Sequence, residues 1–455
     1  MKVVLGVSGG IAAYKACELL RLFTESGHEV RVVPTREALR FVGEPTWAAL
    51  SGHPVSSEVW DDVHEVPHVR IGKGADLVVV APATADVLAR AAHGLAGDLL
   101  TNTLLTARCP VVFAPAMHTE MWQHPATRAN VETLRERGSI VIDPAVGRLT
   151  GADTGPGRLP DPAEIFQVCL RVLRGRPRDL AGRKVVISAG GTREPIDPVR
   201  YIGNRSSGLQ GYALARTAVA RGAEVTLVAA NVALPDPAGA TVVRVESTAE
   251  LREAVLAAAP GADVVVMAAA VADFRPAVRH DSKIKKTDGE PDAITLVKNP
   301  DILAELGELR RAATGVVPAA ASGAVPAGAS GAVPAGVAGA APGPGGLPPY
   351  AGTGERSPER PGERSPAAGE RGPSPKVIVG FAAETDDVLA NGQAKLARKG
   401  CDLLVVNQVG PGLAFGTPDN AAVVLVAGGA PVEVPRGPKE DVADAVWDLV
   451  ASRLA

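Results

Sequence analysis

Short apolar runs recur along the chain, each closed by glycine or proline and followed by a longer amphipathic stretch. Consecutive apolar positions mark strands buried on both faces, as in a parallel sheet. In the first part of the chain such runs predict strands at 2–7, 30–33, 77–81, 111–114 and 140–142. Between the first two, Ala12, Ala13, Ala16, Leu19, Leu20 and Phe23 mark one helix face, with Gly27 as its stop. Strands alternating with helices imply a doubly wound α/β sheet, whose ligands sit at the carboxyl ends of the strands.

The scheme restarts in mid-chain. Residues 183–211 read as a strand (Val185, Val186, Ile187), a Gly190-Gly191-Thr192 turn and two helix-forbidding prolines, Pro195 and Pro198. The donor-rich Asn204-Arg205-Ser206-Ser207-Gly208 follows, with a helical pattern from Tyr212 onward. Further strands are predicted at 184–188, 224–228, 241–245, 263–267, 377–380, 403–407 and 422–426, and a last helix at 439–454. The expectation is two tandem Rossmann-like α/β domains, 1–178 and 179–455, with mainly parallel sheets. Residues 312–375 interrupt the second with Ala, Gly, Pro and Ser in imperfect repeats, and then with recurring Gly-Glu-Arg. Lacking large apolar residues, this insertion reads as disordered.

Composition narrows the class. In 455 residues, 46% hydrophobic content can build cores, and a net charge of −3 does not recommend nucleic acid or an anionic membrane as partner. Cys17, Cys109, Cys169 and Cys401 lie far apart, which suits neither a zinc site nor a disulfide framework. No signal peptide or membrane-length apolar run is apparent, so a cytoplasmic enzyme is the expectation.

Several loops carry candidate chemistry. Ser8-Gly9-Gly10 is either a phosphate loop or a plain tight turn. His68, read as preceding a strand, is structural or catalytic. The segment 115–122, Pro-Ala-Met-His-Thr-Glu-Met-Trp, is unusual for a mere loop, although its methionines also suit core packing. Lys283-Ile284-Lys285-Lys286 is a solvated charge run or, with Asp273 at a strand end, a nucleoside triphosphate and Mg²⁺ site without a P-loop. Lys395 and Lys399, four apart on a predicted helix, share one face and either join that pocket or stay in water.

These motifs, in this order, resemble the bacterial bifunctional coenzyme A biosynthesis family, in which phosphopantothenate–cysteine ligase is fused to phosphopantothenoylcysteine decarboxylase. The carrying segments are 9–15, 81–86 and 115–122, then Gly190 to Arg200, Asn204, 269–273, 283–286 and 380–385. The resemblance implies FMN held by Ser8, Gly9, Gly10, Pro82, Ala83 and Thr84, with His68 as the catalytic histidine and the 115–122 motif on the substrate carboxylate. It implies CTP held by Met267, Ala268, Ala269, Asp273, Lys283, Pro300, Asp301, Ile302, Leu303, Phe381, Lys395 and Lys399. Asn204 matches the asparagine that turns over an acyl-cytidylate. Substrates would be 4'-phosphopantothenate, cysteine and CTP, and the assembly a homo-oligomer with trimeric decarboxylase and dimeric ligase units.

Three positions depart from the family pattern. His118 replaces an asparagine, Gly151 the cysteine acid, and Leu209 a lysine. His118 is the expected substitute acid, with Asp153 or water as the alternatives. A nicotinamide-dependent dehydrogenase would need a GxGxxG fingerprint that Ser8–Gly10 does not supply. A non-enzymatic regulatory subunit would leave the second half's motifs without purpose.

Overall fold

The computed structural model describes residues 1–57, 66–149, 153–176, 178–284, 293–314, 374–384, 388–408 and 419–455. Gly151 and most of the insertion expected at 312–375 lie outside them, as do Lys285 and Lys286.

Five parallel strands form the first sheet, in the order Glu29–Pro34, Lys2–Val7, Leu77–Ala83, Val111–Pro115, Ile140–Val141. Alternation places Val3, Leu5 and Val7 in a core with Leu19, Leu20 and Phe23 of the helix Ala16–Glu25. Val4, Val78 and Val80 face the opposite core, with Val87 and Leu88. Both faces are thus covered, as the uninterrupted valine runs require. Gly27, at φ +79°, follows the first helix.

The second sheet has eight strands: Ala240–Val245, Glu224–Ala230, Lys184–Gly190, Val264–Met267, Val377–Glu384, Leu403–Gln408, Asp419–Val426, Val432–Pro438. The first six are parallel; the last two add antiparallel. Val185, Ile187, Val264 and Val266 pack on the helices Leu209–Ala220 and Lys439–Leu454. Trp447 is fully buried there, its Nε1 donating to Leu214 O at 3.1 Å and Thr217 Oγ1 at 3.0 Å. Burying a large side chain without leaving its N–H unpaired keeps the gain from being lost to desolvation.

A charged seam joins the helix Pro162–Leu173 to the second unit. Arg171 pairs with Asp444, and Arg176 with Asp448 at 2.6 Å. The fully buried Arg221 binds Asp448 at 2.8 Å and pairs with Asp179.

Some elements differ from the sequence reading. His68 does not precede a strand; it lies in the helix Pro67–Gly74, with proline in the first turn, where its missing N–H costs nothing. The small ribbons Arg193–Pro195 with Tyr201–Gly203, Phe274–Pro276 with Leu296–Lys298, and Ala145–Arg148 with Thr154–Arg158 were not expected. Nor was the edge strand Val432–Pro438. Each is short or poor in apolar residues, so it leaves no clear alternation to read. The strand predicted to end at 188 runs to Gly190, at φ +86°. A Cβ there would stand 2.0 Å from Ala230 O, so only glycine fits.

Candidate functional site

Strand order reverses direction once in each sheet. In the first, the chain departs to opposite sides of the neighbours Lys2–Val7 and Leu77–Ala83. In the second, the same holds for Lys184–Gly190 and Val264–Met267. Such switch points open a crevice beyond the carboxyl ends, and each sheet has a cavity there.

The first cavity has a volume of about 830 Å³, within the range that holds cofactors and small ligands. Gly9 and Gly10 line it from one strand end, Pro82 and Thr84 from the next, Ala116, Met117 and His118 from the third. Ser8 lies buried beneath, its Oγ donating to Pro82 O at 2.7 Å and accepting Thr84 N–H at 3.0 Å. Thr84 caps the helix Ala85–His93. Ser8 and Ala83 are therefore scaffold, while Gly9, Gly10, Pro82 and Thr84 present the surface. Neither glycine of the turn needs a positive φ. Gly9 is required by packing, since a Cβ would stand 2.3 Å from Glu37 Cβ. Gly10 is extended, and a Cβ there would meet only Thr84 Cγ2, at 3.7 Å. Its bare face leaves room for a ligand.

Apolar Ile11, Met121 and Leu159 share this wall with the cations Lys15, Arg148 and Arg158. Ile11 is 71% exposed although its side chain is apolar. Burial lowers the proton affinity of Lys15, and the nearby Arg158 lowers it further; Asp161 and Glu18 oppose this. The cavity thus combines apolar walls with a cationic end.

His118 is exposed and lines the cavity, and its imidazole makes no capping bond to the helix Thr119–Gln123 that it precedes. The ribbon strand Thr154–Arg158 rests directly on this loop. Met117 N–H donates to Gly157 O at 2.9 Å, and a Cβ on Gly157 would stand 2.3 Å from Met117 O. The ribbon's sequence therefore needs its glycines. His68 is not among the residues lining the cavity. It is half-buried, its Nδ1 lacks a hydrogen-bond partner among the described residues, and its carbonyl accepts from Thr106 Oγ1 at 2.7 Å.

The second cavity, of about 150 Å³, is lined by Ser206 to Gly211, Ala268, Ala269, Ala270 and Phe381 to Ala383. Its far wall holds Asn407, Asn420 and Lys439, which the sequence reading did not single out. Asn407 Oδ1 is buried without a partner among the described residues. Asn420 and Lys439 are buried, and burial lowers the proton affinity of Lys439. Gln210 ties the two together, accepting from Asn420 Nδ2 at 3.1 Å and donating to Lys439 O at 3.1 Å. Only the polarity of these residues inside apolar strand ends could have signalled them.

The loop 270–273 beside this cavity is held along its length. Ala270 exchanges backbone bonds with Gly190 and Thr192; Asn204 Nδ2 donates to Val271 O at 2.8 Å. Thr192 Oγ1 accepts Ala272 N–H at 2.9 Å. Asn204 is thus engaged with the loop that leads to Asp273. Lys399 pairs with Asp301; its proton affinity is lowered by burial and sustained by Asp273. Asp273, Asp301 and Lys399 therefore gather, and Lys395 stands one turn earlier on the helix Val388–Lys399. Met267, Ile302 and Leu303 have buried core side chains, so only their backbone is available to a ligand. Lys283 is exposed, on a segment fastened to Asp197 through Ile284 N–H at 3.2 Å. Among the described residues no three metal-ligating side chains gather, and no helix is long and apolar enough to cross a membrane.

A flavoprotein family model matches residues 1–174, and one for the C-terminal domain of DNA/pantothenate metabolism flavoproteins matches 180–329 and 367–454. The coenzyme A biosynthesis bifunctional protein CoaBC of Mycolicibacterium smegmatis is 52% identical, over 100% of this chain and 98% of the relative. That of Vibrio vulnificus is 38% identical, over 92% and 90%. Among solved structures, a CoaBC C-terminal domain is 28% identical over 61% of this chain and 98% of its own, at TM-score 0.41. The FMN-binding protein AtHal3 is 30% identical over 38% and 97%, at TM-score 0.35. The chain belongs to the bifunctional coenzyme A biosynthesis family, which joins a phosphopantothenoylcysteine decarboxylase to a phosphopantothenate–cysteine ligase.

Proposed function

We propose that the second cavity ligates cysteine to 4'-phosphopantothenate at the expense of CTP, and that the first decarboxylates the product with FMN. The buried Asn407 Oδ1, unpartnered among the described residues and set in the wall beside Lys439, carries the ligase reading. A buried acceptor without a partner costs about 1–3 kcal/mol unless water or a ligand donor meets it, and a donor brought by substrate would displace that water. The amide and hydroxyl groups of pantothenate supply such donors, and the 206–211 segment and Lys439 suit its phosphate.

In ligation the phosphopantothenate carboxylate attacks the α-phosphorus of CTP, giving an acyl-cytidylate and pyrophosphate. The cysteine amine then attacks the acyl carbon and CMP leaves. Lys283, Lys395 and Lys399 meet the triphosphate, where negative charge grows on the leaving pyrophosphate. Asp273 would be the carboxylate offered to Mg²⁺, and the ion would supply charge neutralisation at the phosphates. Ala268, Ala269 and Phe381 form the wall, and the backbone at Met267 and 300–303 borders the nucleotide. Asn204 steadies the loop and faces the cytidylate.

The first cavity fits FMN: apolar walls suit a flat ring, the bare Gly10 face admits close approach, and the cationic end suits phosphate. FMN bound there would supply the hydride acceptor that makes the cysteinyl C–S centre an electron sink for loss of CO₂. His118 holds the proton that must reach the substrate carbon after CO₂ leaves. His68 does not line the cavity of its own chain, which supports a homo-oligomer in which it serves a neighbour's cavity. The test is the visible spectrum of the purified protein. A flavin band released as FMN on denaturation is expected; a protein that takes up no FMN overturns the decarboxylase assignment of the cavity.

A further inference from the structure

Asn299 lines neither cavity. It stands between the loop 270–273 and the segment 300–303, and every hydrogen-bonding group of its carboxamide is used. Nδ2 donates to Ala272 O at 2.9 Å and to Thr248 Oγ1 at 3.4 Å. Oδ1 accepts from Arg275 Nη1 at 3.0 Å, and the same Arg275 atom donates to Lys298 O at 3.0 Å. The Asn299 backbone N–H donates to Asp273 O at 2.9 Å. One residue thus grips both Ala272 and Asp273.

The following residues carry the grip onward. Pro300 confines Asn299 to extended backbone. Asp301 then caps the helix Ile302–Thr314, accepting Ala304 N–H at 3.1 Å, and pairs with Lys399. The distance between Asp273 and the Asp301–Lys399 pair is therefore set through Asn299. Ala272 is gripped from its other side by Thr192 Oγ1, itself bonded to Thr248 Oγ1 at 3.0 Å.

We propose that Asn299 is a positioning residue that holds the two nucleotide-facing segments, 270–273 and 300–303, in register for CTP; this rests on the CTP reading above. An aspartate would keep the shape and the Arg275 contact but turn the Nδ2 donor into an acceptor facing Ala272 O. A misplaced segment costs orientation, and small displacements are expensive in a reacting complex.

The experiment uses the full chain carrying Asn299→Ala or Asn299→Asp, with CTP binding measured by calorimetry alongside steady-state ligation. Both variants are expected to weaken CTP binding and raise its KM roughly 10–100-fold, the order found when an outer-shell partner of a metal ligand is removed. The KM for cysteine and the decarboxylation rate stay near wild type. Unchanged CTP affinity in either folded variant overturns the proposal. If Asn299→Ala does not fold, the near-isosteric Asn299→Asp decides on the same readouts. Lys283→Gln run in parallel separates the two levels. If it abolishes ligation while the Asn299 variants bind CTP normally, only this proposal falls; if it too leaves ligation intact, the CTP reading falls.

Discussion

Arg200 clasps one carboxylate oxygen of Asp197, its Nε and Nη2 donating to Oδ2 at 2.9 and 2.5 Å, while Oδ1 accepts the N–H groups of Val199 and Arg200, each at 2.8 Å. The pair reaches further than its two residues. Arg200 Nη2 also donates to Ile284 O at 2.9 Å, and Asp197 Oδ2 accepts Ile284 N–H at 3.2 Å. The backbone beside Lys283 is thereby pinned to the turn that follows the switch-point strand.

Asp197→Asn should cut ligase kcat/KM roughly 10–100-fold, as for other removed supporting partners, and leave decarboxylation unchanged. The Arg200 bonds, then the N–H groups of Val199, Arg200 and Ile284, hold the Asp197 carboxyl well below the usual acid range, against burial. A depressed acid stabilises above its unfolded pKa and loses that contribution only as pH falls through its lower folded value. The pH profile of ligation between roughly 5 and 8 should therefore not bear its mark. A ligase that runs normally after the Asp197→Asn substitution would show the pin is idle.

Lys283→Gln removes a charge proposed to face the departing pyrophosphate. Loss of one such contact typically costs about 10²–10³ in kcat. Ligation should collapse by this amount while flavin content and decarboxylation hold. Parallel loss of both activities would make Lys283 a structural residue.

Glu164 predicts a pH effect at the seam between the two units. Burial raises its carboxyl to about 7; Arg216 opposes, Asp161 adds to the rise, and N–H groups of Ala238 and Asp161 oppose. Arg216 is already paired with Glu440 at 2.7 Å. An acid whose folded pKa is raised holds more protons when folded, so stability falls as pH climbs from its unfolded value to about 7 and then levels. Glu164→Gln should remove this slope and raise Tm at pH 8, by about 2–4 °C for each kcal/mol recovered. An unchanged difference in Tm between pH 5.5 and 8 would exclude Glu164 as its source.

Much of the framework was legible because a buried parallel strand leaves little choice of residue. The runs at Val3–Val7 and Val185–Ile187 could be read directly, and the helix Lys439–Leu454 was placed to the residue. The loops at the strand ends were legible too, and Gly9, Pro82, Thr84 and His118 do meet in one cavity. What stayed hidden depends on distant packing. Gly9 answers to Glu37, which no local pattern announces. Asn407, Asn420 and Lys439 reach Ser206 only because strand order folds roughly 200 residues of chain onto one crevice. His68 misled because Val69 and Ile71 alternate as in a strand, whereas Pro67 starts a helix.

The two histidines give a test of assembly. His68→Asn and His118→Asn should each fail to yield phosphopantetheine. If His68 serves a neighbour's cavity, mixed oligomers made by co-expression should regain that yield in about a quarter of their sites by random pairing of two subunits. No recovery on mixing would place both histidines in one chain's cavity. With His118→Asn alone, anaerobic phosphopantothenoylcysteine should still release CO₂, with the unsaturated enethiol accumulating in place of phosphopantetheine. Loss of CO₂ release itself would instead assign His118 to substrate binding.

The most direct measurement is pyrophosphate release by the purified full chain given 4'-phosphopantothenate, cysteine and CTP, with phosphopantetheine followed in the same vessel. Pyrophosphate should appear only when both phosphopantothenate and CTP are present, CMP should follow on adding cysteine, and phosphopantetheine with CO₂ should follow in turn. No CTP-dependent pyrophosphate, or ligated product that is never decarboxylated by the flavin-loaded protein, would contradict the assignment of one step to each cavity.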